Sequence, residues 1–344
     1  MNSFQKWKSR ILQWEFWPFW LFYIPVFIYY LYLSVRNGSL FFFTATNPTM
    51  EFGGMTGEEK SEIYKLMPKE SYPKTLLIND KNRDELKEMA ISIGFPLIAK
   101  PNIGERGQGV EIIRSLQGLI RYSDTITVDF LLQELVTYPV ELGVFYVRQP
   151  DQEHGRVTSI VMKKFLSVTG DGTSSVRNLL SSEKRAQLQL DIDNPRFSHI
   201  MDKIPSDGEN VIVEPIGNHC RGTMFLDATH EVDKELNRAI DDVAKQIDGF
   251  YYGRFDLKCA SIDDLRHLRN YKVVELNGTG AEPGHIYQPG FPLLKAYRIV
   301  MWHFSQMAVI ARKNKKMGVT YWTFRRGVKK MLDIRSYNRR LSPS

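Results

Sequence analysis

The 344-residue sequence predicts an α+β chain, and three observations carry that reading. Residues 253–285 read as two strands joined by a polar linker and closed by the turn signal Gly278-Thr279-Gly280. A short apolar strand over 94–101 runs into a loop holding Gly104, Gly107 and Gly109. Between such strands lie stretches with helical spacing of apolar residues, at 80–93 and 233–247. Outside this body stand an aromatic N-terminal segment and a basic C-terminal tail. The expected division is therefore an apolar segment over 1–50, a mixed helix-and-strand body over 51–290, and an apolar helix with a basic tail over 291–344.

The length suits one or two domains and a sizeable core. The two cysteines, Cys220 and Cys259, have no metal spacing and build no disulfide framework. That pattern points to a reducing compartment. Of 46 basic and 39 acidic residues, eleven and one fall within 312–340. The tail thus carries +10 and the rest of the chain −3, so the basic balance belongs to the tail.

In chain order, Lys6, Lys8 and Arg10 precede Phe16–Leu33, a run with no charge. Its length sits at the lower end for a spanning helix, about 17–25 residues. It is too aromatic for a signal peptide and lacks a small-residue cleavage site. Tyr and Trp rings favour the headgroup region, and Pro18 and Pro25 are expected to break or kink a helix. Membrane contact and a buried aromatic helix are the two readings of this run. The polar segment 47–60 leads to a helix starting near Glu58, with Gly53-Gly54 either turning the chain or approaching a ligand. Residues 80–93 form a helix with Leu86, Met89, Ala90 and Ile93 on one face.

Thr125–Leu135, Val140–Val147 and Val157–Leu166 read as strands. Gly170-Asp171-Gly172-Thr173 is a turn before a helix from Val176, with Asp171 as turn former. Residues 181–210 have no assigned element. Val211–Pro215 is a short strand, and Asp233–Ile247 a helix leading into the strand pair. Leu293–Ala311 is an apolar helix. In the tail, Tyr321, Trp322 and Phe324 alternate with Arg325, Arg326, Lys329 and Lys330. That mixture suits an anionic leaflet, at about 1 kcal/mol per basic residue. Nucleic acid is the other polyanion such a tail fits, and the aromatic segment in the same chain favours lipid.

Two constellations carry chemistry. Glu275 and Asn277 share one face of a strand, because the strand period is two. With Asp256 they offer three hard oxygen donors, a set suited to Mg²⁺ (or Mn²⁺) bridging nucleotide phosphates. An ordinary solvated hairpin has the same spacing. In the loop after Lys100-Pro101, the glycines let backbone N–H groups close on an anion. Lys100 would add a point charge. The loop is neither a P-loop nor a dinucleotide fingerprint, and on its own it serves as a turn equally well.

In order, Lys100-Pro101, the glycine loop, Gln133-Glu134-Leu135, Glu141, Gly253-Arg254-Phe255-Asp256, Glu275-Leu276-Asn277 and Pro283-Gly284 resemble the ATP-grasp superfamily. The match is to its carboxylate–amine ligase branch, which includes D-alanine–D-alanine ligase and cyanophycin synthetase. It covers roughly 58–287, about two thirds of the chain. The resemblance implies an ATP-grasp fold, two α+β subdomains gripping ATP, with Mg²⁺ (or Mn²⁺) on Asp256, Glu275 and Asn277. It implies phosphate contacts from Lys60, which lies thirteen residues ahead of Pro73, from Lys100, and from the loop at Gly104, Arg106, Gly107 and Gly109. Glu134 is the implied ribose ligand, backbone beside Leu135 the adenine reader, and Glu141 a further nucleotide contact. Arg254 and Arg221 are the implied stabilisers of the transferring phosphoryl group. The implied reaction joins a carboxylate to an amine through an acyl phosphate, so neither His219 nor Cys220 is needed as a nucleophile.

This sequence departs from D-alanine–D-alanine ligases at three places, one being Gly278–Glu282, which replaces their shorter approach to Pro-Gly. Their full N-terminal α/β lobe is replaced by a short apolar region, and the linker between Asp256 and Glu275 is longer. D-alanine is therefore not carried over, and the substrates stay open between small-molecule and lipid-linked ones. The expected location is the cytoplasmic face of a membrane, with the catalytic body and Lys6, Lys8 and Arg10 on one side. A re-entrant or interfacial Phe16–Leu33 meets that requirement. An ATP-grasp kinase of a small acceptor and a catalytically inactive nucleotide-binding scaffold are the other readings.

Overall fold

The computed structural model describes residues 13–341 except 106, 184–185, 188–193, 195–196, 216 and 218–221. Helix α1 (Phe19–Asn37) follows Pro18 and stops at Gly38, which takes the left-handed conformation that ends helices. Pro25 lies inside α1, yet the helix continues as one element. The expected break is absent because Phe22, Val26 and Leu33 are buried on its inner face. Burial of roughly 1.5–3 kcal/mol per large apolar side chain offsets an interior proline's cost of about 3 kcal/mol.

Helix α2 (Lys60–Leu66) begins near the expected position. Strands β1 (Thr75–Ile78), β2 (Leu97–Pro101), β3 (Glu111–Ile113) and β4 (Phe130–Glu134) form an antiparallel sheet in the order β1-β4-β2-β3. Alternation along β2 sorts its side chains. Leu97 and Ala99 pack under α3 (Leu86–Ile93) and α4 (Leu116–Thr125), while Ile98 and Lys100 face a cleft. Two expectations are corrected here. The helix expected from Asp80 starts at Leu86 after a turn held by Asn79 and Asn82. The strand expected from Thr125 starts at Phe130, because α4, capped by Ser115, runs through Thr125.

The second sheet has the order β11-β10-β5-β6-β9 and is antiparallel throughout. Its strands are β5 (Val140–Val147), β6 (Arg156–Lys164), β9 (Met224–Asp227), β10 (Tyr252–Cys259) and β11 (Tyr271–Asn277). A separate two-stranded ladder, β7 (Leu166–Thr169) with β8 (Asn210–Glu214), packs with α5 (Val176–Ser182) and α6 (Ser198–Met201). Leu142, Val144 and Tyr146 of β5, with Phe255 and Leu257 of β10, pack on Leu236, Ile240 and Val243 of α7 (Lys234–Lys245). The linker between β10 and β11, expected as a polar loop, holds the short helix α8 (Ile262–Arg266).

The opposite face of that sheet is shared between two tasks. Glu141, Arg254, Asp256 and Lys258 line the cleft. Phe145, Val147 and Tyr252 are covered by α9 (Leu293–Lys316), by Phe41–Phe43 and by Leu33 of α1. Residues from both sides of the expected boundaries near 50 and 290 thus share one aromatic core. Helix α10 (Phe324–Leu341) is docked as well. Gly327 abuts the Phe41 ring, Lys330 pairs with Glu51 at 2.7 Å, and Thr127 donates to the Arg340 carbonyl at 3.1 Å.

Candidate active site

The two sheets face each other across a cleft of about 930 Å³, joined by the chain between β4 and β5. Its floor follows from the β10–β11 register. Asp256 lies opposite Glu275 and Arg254 opposite Asn277, so all four side chains leave the same face. Asp256 Oδ1 accepts from Arg254 Nε at 3.0 Å and stands 3.4 Å from Lys163 Nζ. Its Oδ2 accepts from Arg254 Nη2 at 2.8 Å and from Asn277 Nδ2 at 3.0 Å. Lys163 also bonds Glu141 at 3.0 Å, and Lys258 stands 3.6 Å from the same carboxylate. Gly143 makes room for this network, since a Cβ there would lie 3.1 Å from Asp256 and 3.2 Å from Arg254.

Burial works against the charge on Asp256, and Arg254 and Lys163 overcome it, holding the carboxyl below its ordinary range. Burial likewise opposes the charge on Lys163, and Asp256 and Glu141 overcome it, raising its pKa. Acids and bases therefore alternate, and each buried charge has a partner.

The wall opposite carries the lysines. Lys100 donates to Tyr64 Oη at 2.9 Å, Gln133 Oε1 at 2.9 Å and the Val274 carbonyl at 3.2 Å. Burial pulls its pKa down to about 8, against the pull of Glu275. Lys60 reaches the Gly104 carbonyl and stands 3.7 Å from Glu275. Gly104 and Gly107 line the cleft, as do Glu134 and Leu135 at the connection between lobes. Gly109 does not; it sits at the loop base, where a Cβ would meet Pro101 at 2.8 Å. Glu141 lines the cleft with its carboxylate turned to Lys163 and Lys258. Arg106, Arg221, His219 and Cys220 lie outside the described residues. Cys259 is free and buried, and burial pushes its thiol up to about 11.

The structure adds residues to which sequence reading gave no role, namely Lys163, Lys258, Tyr64 and Glu282, and it gives a role to Gln133 of the expected hinge; all line the cleft. Among the described residues, no three His, Cys, Asp or Glu side chains gather as a metal cluster. The smaller set fits a nucleotide-bridging ion that keeps most of its sites for phosphate and water. Asn277 spends its N–H on Asp256 and retains its amide oxygen. The Glu275 side chain is 38% exposed and, among the described residues, its ion pair is the 3.7 Å contact with Lys60, whereas the lone pairs of Asp256 are already engaged. Glu275 and Asn277 are thus the open donors, with the Asp256 charge behind them.

Neither a protein-family model nor a curated protein matches this chain. Among solved structures it is similar to the VanG D-Ala:D-Ser ligase from Enterococcus faecalis, at 15% identity and a TM-score of 0.43, over 79% of this chain and 62% of that one. It is similar to the D-alanine–D-alanine ligase from Bacillus anthracis, at 15% and 0.40, over 75% and 67%. The ATP-grasp ligase PsnB, complexed with a minimal precursor, gives 16% and 0.38, over 72% and 60%. The chain thus spans 60% to 67% of the length of these three proteins. The chain folds as two α+β lobes around a cleft, the architecture that the order of motifs implied. Similarity at this level carries no argument about this chain; the reading of the site rests on its own side chains.

Proposed function

We propose that this protein is an ATP-dependent carboxylate–amine ligase working at a membrane surface. The observation that carries the reading is the convergence of Glu275, Asn277 and Asp256 on one cleft with Lys60 and Lys100. ATP lies between the lobes, with its base near Glu134 and Leu135 and its phosphates at Lys60, Lys100 and the loop at Gly104 and Gly107. Glu275 and Asn277 would hold Mg²⁺ (or Mn²⁺), which would supply charge neutralisation for the phosphates. A substrate carboxylate oxygen bonds the γ-phosphorus and ADP leaves with the bonding pair. The amine nitrogen then bonds the acyl carbon, inorganic phosphate leaves, and the nitrogen gives its proton to solvent. Arg254, fixed by Asp256 and by the Glu282 carbonyl at 2.9 Å, steadies the charge spread over the transferring group.

Support for the surface location comes from α1. Among the described residues it is the one helix long and apolar enough to cross a bilayer. Its inner face packs on α9, while Trp20, Ile24, Phe27, Ile28 and Val35 face outward. A helix held along the body in this way suits the interfacial plane, on the cytoplasmic side where ATP is. The basic outer face of α10 suits the same anionic surface.

Substrate-dependent ADP release, screened over amines and carboxylates, tests the ligase reading. Hydroxylamine added during turnover traps an acyl phosphate as a hydroxamate. A stable phosphorylated acceptor without hydroxamate would make the chain a kinase, and ATP binding without any release would leave a scaffold.

A further inference from the structure

The lining of the same cleft includes an aromatic part, called the arm below: Trp14, Trp17, Tyr23 and Tyr287, with Phe22 and Phe304. Trp14 stacks on Phe22 at 4.9 Å and meets Tyr287 at 5.6 Å. Its indole N–H donates to the Phe291 carbonyl at 2.6 Å, which fixes the wall. Glu282 lines the same cleft, and its carbonyl accepts from Arg254 Nη1 at 2.9 Å. Its Oε1 accepts from Tyr287 at 3.1 Å and from Tyr23. Phe19 lines the same cleft and is 51% exposed, where the outward apolar face of α1 begins.

A carboxylate set among electron-rich rings is a receptor for a cation. The charge pairs with the acid, and the ring faces add attraction of their own. The ring-lined arm in turn accepts apolar surface. We propose that this arm binds the amine substrate, a primary amine carried on an apolar body, with the ammonium at Glu282 and the body among the rings. The inference rests on the ligase reading, in which the amine has to arrive beside Arg254 and the ammonium gives one proton to solvent before its nitrogen bonds the acyl carbon.

Dodecylamine is the probe, with dodecanol and dodecanoate as matched controls, titrated into the full chain while tryptophan fluorescence is read. Dodecylamine binds saturably and at least about tenfold tighter than either control, and Glu282→Gln weakens it by about tenfold, the effect of a charged hydrogen bond. Tyr287→Phe, the milder change, weakens it a few-fold. Equal binding of amine and alcohol, or unchanged amine affinity in Glu282→Gln and Tyr287→Phe, overturns the proposal. Vesicles of phosphatidylcholine with and without phosphatidylethanolamine identify the source. Binding that needs both phosphatidylethanolamine and Glu282 marks a bilayer lipid as the amine, and a response confined to dodecylamine marks a diffusible one. A fluorescent ATP analogue titrated into the wild-type chain separates the two levels. Absence of nucleotide binding sinks the ligase reading, whereas nucleotide binding without amine preference sinks only the arm.

Discussion

Gly54 and Gly278 meet backbone to backbone. A Cβ on either one would lie 2.7 Å from the Cα of the other. Gly54 also accepts the Gly280 N–H at 2.9 Å, and Gly53 accepts that of Thr279 at 3.2 Å. The close approach left open for Gly53-Gly54 is therefore to the chain itself, just beyond Asn277. Gly54 has φ +71°, so Gly54→Ala meets both backbone strain and contact. Its expected cost is about 3 kcal/mol, with weakened nucleotide binding as Asn277 shifts. Gly38→Ala, at φ +67° in open space, costs only about 1 kcal/mol. Urea unfolding of the two variants checks the difference.

Asp256 and Glu275 answer differently to loss of charge. Asp256→Asn leaves Arg254 and Lys163 buried without their main partner, so it destabilises by about 3–5 kcal/mol besides removing turnover. Glu275, partly exposed, tolerates Gln within about 1 kcal/mol. Glu275→Gln is therefore the cleaner probe, and its ADP release falls by about 10²-fold. Wild-type turnover in a folded Glu275→Gln removes this residue from the metal set.

Lys100 makes nucleotide binding pH-dependent. Its folded pKa of about 8 lies below lysine's ordinary 10.5, through burial. Between these values the unfolded chain binds a proton that the folded chain does not, so this group's contribution to stability rises with pH across that window. Binding runs the other way. Phosphate charge beside Lys100 restores its proton, so ATP affinity falls as pH rises through about 8. At pH about 8.5, calorimetry in buffers of different ionisation enthalpy shows proton uptake on ATP binding. Lys100→Met binds more weakly and without that uptake; identical uptake in the variant would assign it elsewhere.

What is legible in the sequence is what depends on near neighbours. Strand β11 is readable residue for residue, because its β-branched run and two-residue period are local. So is the shared face of Glu275 and Asn277. The role of Lys163 is not, since it depends on which face of β6 meets a cleft built from β5 and β10. Its partners Glu141 and Asp256 arrive from other strands. Glu282 and Tyr23 meet across 259 residues, a distance no periodicity spans. Helix α4 is an avoidable miss: Ser115 ahead of Leu116, Leu119 and Ile120 is a start signal present in the sequence.

Membrane contact gives the last prediction. The outward face of α1 is apolar from Trp20 to Val35, the latter 82% exposed. Helix α10 adds Met331 and Leu332 between exposed basic residues. Two forces of different range follow. Raising salt from 0.15 M to 1 M shortens the screening length from about 8 Å to about 3 Å, which removes most of the basic contribution. Apolar insertion persists. The protein should therefore cosediment with anionic vesicles at both salts, more weakly at the higher. Phe27→Glu and Ile28→Glu each replace a side chain worth roughly 1.5–3 kcal/mol of burial, so each lowers partitioning by about tenfold or more. Neither residue is buried in the fold, so circular dichroism of the variants should match the wild type. Wild-type chain that stays in the supernatant at both salts would remove the surface from the proposed function and leave the cleft chemistry standing.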